Sequence, residues 1–168
     1  MIFAVLDTNV LISAALAHNK YSIPYSVFRG VVERRFVPLV DDNIVREYWE
    51  VFSRPKFSFM QETINDIVGN TIKFAINQPV PPSGIELPDC DDVVFYDVAR
   101  AHQDKGAYLV TGNLRHFPNC EFAISPRDFM NIITPNKGNH MANDNSAVYD
   151  PTGLLAALHE AQRQAHEN

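Results

Sequence analysis

Asp7 ends one apolar run, "FAVL" (3–6), and lies three residues before the next, which opens at Val10. A carboxylate at the end of a buried strand is either a helix cap or a reactive group. More acids fall at equivalent places. Asp41 and Asp42 follow a second apolar run, "FVPLV" (36–40), and the helix they open carries Glu47. Asp89 and Asp92 begin a helix after a proline-rich stretch, and Thr111, Gly112 and Asn113 close a late strand. In an open parallel sheet these positions share one edge, outside the carboxyl ends of the strands.

Singly, each acid has a structural reading. Asp7 can cap the helix that follows it. Asp41 and Asp42 read as caps, Glu47 as part of a solvated helix face, and Asp89 and Asp92 as a cap and its first-turn acid. Together they read differently. Carboxylates crowded into a low-dielectric cleft repel one another, and a divalent cation relieves that repulsion. Oxygen ligands favour Mg²⁺ or Mn²⁺ over zinc, and those ions serve phosphoryl chemistry.

Strands and helices must alternate to deliver such groups to one edge. "IFAVL" (2–6) reads as a buried strand and "NVLISAALA" (9–17) as a helix. A second helix spans 22–35, capped by Ser22, followed by the strand 36–40, which Pro38 assigns to a sheet edge. Helices follow over 41–54, stopped by Pro55, and over 59–76. "QPVPPSGIELPD" (78–89) has four prolines and reads as a surface crossing with a short strand at most. A helix over 91–106 stops at Gly106; strands at 107–112 and 121–124 bracket the "TGN" turn. A last helix over 125–133 has Ser125 as cap, Pro126 in first position and Asp128 completing a capping box. The alternation predicts an α/β fold, a mainly parallel sheet with helices on both faces. The segment 135–151 reads as a linker after a domain of residues 1–134, and 152–168 as an amphipathic helix with Leu154, Leu155 and Leu158 on one side. That helix is too short to be stable alone and is expected to dock on its own domain or on a second copy in a homo-oligomer.

The chain of 168 residues is 46% apolar, enough for one packed domain, and carries a net charge of −6. An acidic chain has no general attraction for nucleic acid, so a polyanionic substrate needs local basic residues or a metal. The two cysteines, Cys90 and Cys120, lack metal or redox spacing and are expected to be reduced. No basic segment precedes a long apolar one, and no stretch reaches the roughly 18 apolar residues of a membrane span. A cytoplasmic protein without a membrane partner is expected.

"VLDTNVLISA", "REYWEVFSRPKF", "DCDDVVFYDVA" and "AYLVTGNLRHFP", in this order, resemble the PIN domain family over residues 2 to about 133. Within that family the sequence looks most like the VapC-like toxins of toxin–antitoxin pairs. The resemblance implies a three-layer α/β/α fold and Mg²⁺- or Mn²⁺-dependent hydrolysis of RNA phosphodiester bonds. Its first acid matches Asp7, with Thr8 and Asn9 in support. Its second matches Glu47 and its third Asp92, with Asp89 opening the D-x-x-D step. Those three acids are the implied metal ligands. The fourth acid falls on Asn113, an amide that offers a carbonyl oxygen without charge. Asp97 is a possible stand-in at an unfavourable helical angle, and Thr111 can position a water or a carboxylate. Arg46, Arg54, Lys56 and Arg115 are candidate RNA contacts, and Lys20 and His116 are further basic candidates. His102 and His116 are not expected to bind metal, and Trp49 and Phe52 read as core. The implied partners are RNA and a cognate antitoxin. Asn113 keeps open an inactive PIN-fold module that binds RNA or protein. A haloacid-dehalogenase-type phosphatase would need an acid two residues after Asp7, where Asn9 stands, and a receiver domain would need a late lysine that is missing.

Overall fold

The computed structural model describes residues 1–134; the expected linker and C-terminal helix lie outside the described residues. Strand β1 (Phe3–Leu6) is almost wholly buried and lies in the middle of a five-stranded sheet of order β3-β2-β1-β4-β5. The others are β2 (Val37–Val40), β3 (Ile76–Asn77), β4 (Tyr108–Val110) and β5 (Ala123–Ile124), and every pairing is parallel. Helices α1 (Thr8–Ala15), α2 (Ile23–Val32), α3 (Asp42–Phe52), α4 (Gln61–Phe74), α5 (Val93–Ala101) and α6 (Pro126–Ile133) complete a three-layer α/β/α fold.

The chain moves outward from β1 through β2 to β3, then returns by the 78–89 crossing and continues on the other side through β4 to β5. Strand order therefore reverses between β1 and β4. In such a sheet the carboxyl ends of those two strands flank the crevice at the point of reversal. Asp7 stands at its floor, its backbone N–H donating to Val110 O at 3.0 Å.

The helices start where the sequence says they should. Asp7, Ser22, Asp41 and Ser125 each cap a helix through a side-chain oxygen. Helix α3 buries Ile44, Tyr48 and Val51, spaced to share one face. Helix α5 packs on β1, β2 and β4, and Phe95, Val98 and Ala99 are buried there. Gly30 of α2 lets Phe36 and Ile133 approach: an added Cβ would meet Ile133 Cδ1 at 3.0 Å and Phe36 Cε1 at 3.1 Å.

Two expectations change. Pro38 is not on an edge strand, because β3 covers β2. The two-residue β3 pairs only with Leu39 and Val40. Val37 N–H donates toward β1 and Val40 O accepts from the β3 side, so by alternation Pro38 lacks its N–H where no partner strand has yet begun. The helix expected to reach residue 76 ends at Phe74, since Ala75 is extended and leads into β3.

Candidate functional site

The floor of the crevice is a clasp between two segments 104 residues apart. Asp7 is 3% exposed. Its Oδ2 accepts from Thr111 Oγ1 at 2.6 Å and from Asn9 Nδ2 at 2.5 Å, and its Oδ1 accepts from Asn9 N–H at 3.1 Å. Asn9 Oδ1 in turn accepts from Gly112 N–H at 3.0 Å, and Asn113 N–H donates to Thr111 Oγ1 at 3.0 Å. "LDTN" and "VTGN" are thus two halves of one hydrogen-bonded unit. Thr8 Oγ1, one residue from Asp7, is buried with no hydrogen-bond partner among the protein atoms.

Burial raises the Asp7 pKa from its ordinary 3.8 to about 6; the Asp92 charge adds to that, while the Thr111 and Asn9 hydrogen bonds and the nearby His116 oppose it. Asp92, at the entrance to α5, is also buried. Burial raises its pKa, as do Asp89 and Asp91, against the His116 hydrogen bond. Glu47 is half-buried on α3; burial raises its pKa, followed by the charge on Asp91, with smaller contributions from Glu50 and Asp7 and an opposing one from Arg54. Asp7 is therefore in electrostatic range of both Asp92 and Glu47, acids from two other elements, while ligand atoms of Asp92 cluster with those of Asp89 and His116.

The scaffold explains how Glu47 reaches this place. The Tyr48 hydroxyl, fully buried, donates to Leu6 O, the last residue of β1. That bond ties α3 to the strand end, and the preceding residue, Glu47, lies within electrostatic range of Asp7. Asp89 caps the turn Cys90–Asp92 through Asp91 N–H at 3.1 Å, which presents Asp92.

Other expected residues lie apart. Asp97 is buried on α5, where its Oδ1 accepts from Ser83 N–H at 3.1 Å and holds the crossing down. Asn113 is half-buried at the start of a turn, Leu114–His116, on which Arg115 is exposed. Arg54 is exposed and near enough to Glu47 to lower its pKa. Lys56 is half-buried with Nζ 5.0 Å above the Phe57 ring, and Arg46 is exposed with Nη1 donating to Asn43 Oδ1 at 3.5 Å. Lys20 is exposed in the α1–α2 connection. Phe52 is buried as expected, but Trp49 is 38% exposed, because it lies off the Ile44–Tyr48–Val51 face of α3.

His116, read from sequence as a basic residue outside the ligand set, has a contact that reading did not foresee. His116 Nδ1 lies 2.7 Å from Asp92 Oδ2, and ligand atoms of Asp89, Asp92 and His116 lie within 4.8 Å of one another. The signal was present as T-G-N-x-x-H: three residues after Asn113 the chain has made one tight turn, and His116 N–H donates to Asn113 O at 3.1 Å. His102, by contrast, is structural, with Nδ1 2.8 Å from Val98 O and Nε2 3.2 Å from Gln78 Oε1.

A family model described as the PIN domain matches residues 4–115. The chain belongs to the PIN domain family. PIN domains are generally nucleases and typically bind divalent metals, and the donor set here fits such an ion: hard carboxylate oxygens, two of them buried and electrostatically coupled. This PIN domain is also similar in structure to a chain in the crystal structure of VapBC2 from Rickettsia felis bound to a DNA fragment from their promoter. The identity is 14% and the TM-score 0.48, over 74% of this chain and 98% of that one. No curated protein matches the sequence. Among the described residues of this PIN domain no helix is long and apolar enough to cross a membrane.

Proposed function

We propose that the protein is a divalent-metal-dependent endoribonuclease and the toxin of a toxin–antitoxin pair. The observation that supports the nuclease reading is that buried Asp7, at the point where strand order reverses, lies in electrostatic range of Asp92 at the entrance to α5 and of Glu47 on α3. These three would hold a Mg²⁺ or Mn²⁺ ion. Such an ion, when bound, polarises a phosphate oxygen and lowers the pKa of a bound water. Thr111 and Asn9 keep Asp7 in one orientation, so that its carboxylate does not have to reorganise during the reaction. Arg54, which lowers the Glu47 pKa, and exposed Arg115 would neutralise substrate phosphates, with Arg46 on α3 and Lys56 just beyond it as further basic contacts. The sequence resemblance to VapC-like toxins supports an antitoxin partner, and free Cys90 and Cys120 are in keeping with a cytoplasmic setting.

The test is cleavage of structured and single-stranded RNA with Mn²⁺ or Mg²⁺, beside Asp7→Asn and a chelator control. The expected result is cleavage by the wild type, reduced at least about a hundredfold in the variant and abolished by the chelator. Cleavage that survives both, or none in the wild type with either ion, overturns the reading. The uncharged Asn113 favours a second reading, a PIN-fold module that binds RNA without cutting it. RNA binding without metal-dependent cleavage is its signature.

A further inference from the structure

A carboxylate-only ligand set leaves His116 outside it, although its Nδ1 lies 2.7 Å from Asp92 Oδ2. Its side chain is 37% exposed, while that of Asp92 is 12% exposed. The ring is positioned by its contact with Asp92, on a backbone fixed by the turn from Asn113 and by buried Phe117. The strand end that carries His116 is also the one that lacks an acid. Asn113 offers only a neutral carbonyl oxygen, so the β4 side of the crevice is one strong donor short.

We propose that His116 supplies a nitrogen ligand to the divalent cation of this site, completing a mixed set with Asp92 and Asp89 and taking the place of the acid absent at Asn113. The inference rests on the reading that the crevice holds such a cation. A ring nitrogen 2.7 Å from Asp92 Oδ2, with Asp89 contributing a third atom inside the same 4.8 Å envelope, is a donor triangle that an ion can enter by displacing the shared proton to solvent. The chemical consequence is selectivity. Mg²⁺ takes oxygen ligands in strict octahedral geometry, whereas Mn²⁺ and the later divalent ions accept imidazole. The site should therefore favour Mn²⁺ over Mg²⁺ more strongly than a carboxylate-only site does. A hydrogen bond that merely orients Asp92 would create no such preference.

The full chain, freed of metal, is titrated with Mn²⁺ by electron paramagnetic resonance, with Mg²⁺ as competitor, and the bound Mn²⁺ is examined for nitrogen modulation of the electron spin echo. Two variants accompany it. His116→Ala removes the ring, and His116→Asn keeps a side-chain donor to Asp92 without an imidazole. The expected result is nitrogen coupling in the wild type alone. Mn²⁺ affinity should fall at least about tenfold in both variants, with Mg²⁺ affinity changing much less. Bound Mn²⁺ without nitrogen coupling, or wild-type Mn²⁺ affinity in His116→Asn, overturns the proposal and leaves the metal-dependent nuclease standing. A wild type that binds no Mn²⁺ removes both. Should His116→Ala fail to fold by circular dichroism, the wild-type spectrum and His116→Asn decide.

Discussion

Asp7 keeps its carboxyl where water cannot solvate it, so the folded protein binds a proton there more tightly than the unfolded chain does. The sign follows from linkage: between about pH 4 and 6 the native state holds the extra proton, and stability falls as pH rises through that window. In the metal-free protein, the stability of Asp7→Asn relative to wild type should increase from about pH 4 to about 6 and level off above. A change of about 2 units corresponds to at most about 3 kcal/mol. Urea denaturation of both proteins across that range measures it; a difference that is flat with pH means that Asp7 does not titrate as described. The same burial explains why Asp7 was readable from sequence and His116 was not. A carboxylate ending an apolar run announces itself, whereas a histidine on an exposed turn gains meaning only when Asp92, 24 residues earlier, is found 2.7 Å away.

Among the elements, α3 has the most exacting task, since it must deliver Glu47 to a strand end made by distant residues. The Tyr48 hydroxyl on Leu6 O does this. Tyr48→Phe leaves a buried carbonyl unpaired and should cost about 1–3 kcal/mol, read as a lowered urea midpoint at unchanged m-value. In the nuclease reading it also lowers metal affinity, which isothermal titration would detect. Helix α2 depends on closeness instead. Gly30→Val would force Phe36 and Ile133 apart, with an expected loss of about 1–3 kcal/mol, read as a lowered urea midpoint. The elements themselves were largely legible, because caps and apolar periodicity are local properties. Ser22, Asp41 and Ser125 mark helix starts that the structure keeps. Strand β3 was not legible: two residues joined to the end of a helical pattern carry no period, and only pairing with Leu39 and Val40 makes them a strand. Trp49 misled for a related reason, since apolar spacing says that a face exists but not where its boundary lies.

At the scale of the whole molecule, charge governs how a polyanion is met. In the nuclease reading, a chain of net charge −6 would need local basic residues to attract RNA. Arg115→Ala should weaken RNA binding roughly equally for all sequences and reduce the salt dependence. The slope of log affinity against log salt should become shallower by about 0.7 for each single-strand phosphate that Arg115 neutralises. Fluorescence anisotropy across a salt series reads this, and an unchanged slope removes Arg115 from the RNA path. The convergence of distant segments on β1 and β4 was foreseen from the α/β alternation, because a parallel sheet sends all its strand ends the same way. The hydrogen bonds that lock those ends together were not, since Asn9 to Gly112 and Thr111 to Asp7 are relations between positions, not properties of either.

The 78–89 crossing, held to α5 by Asp97, divides the chain into a front part that owns Asp7 and Glu47 and a rear part that owns Asp92 and His116. A break at Gly84 severs the covalent thread but leaves the β1–β4 pairing intact. Two polypeptides, 1–84 and 85–168, are each expected to stay unfolded when produced separately and to assemble when produced together, through the β1–β4 pair and the packing of α5 on β1 and β2 and of α6 on α2, which would suit this small protein to use as a split reporter.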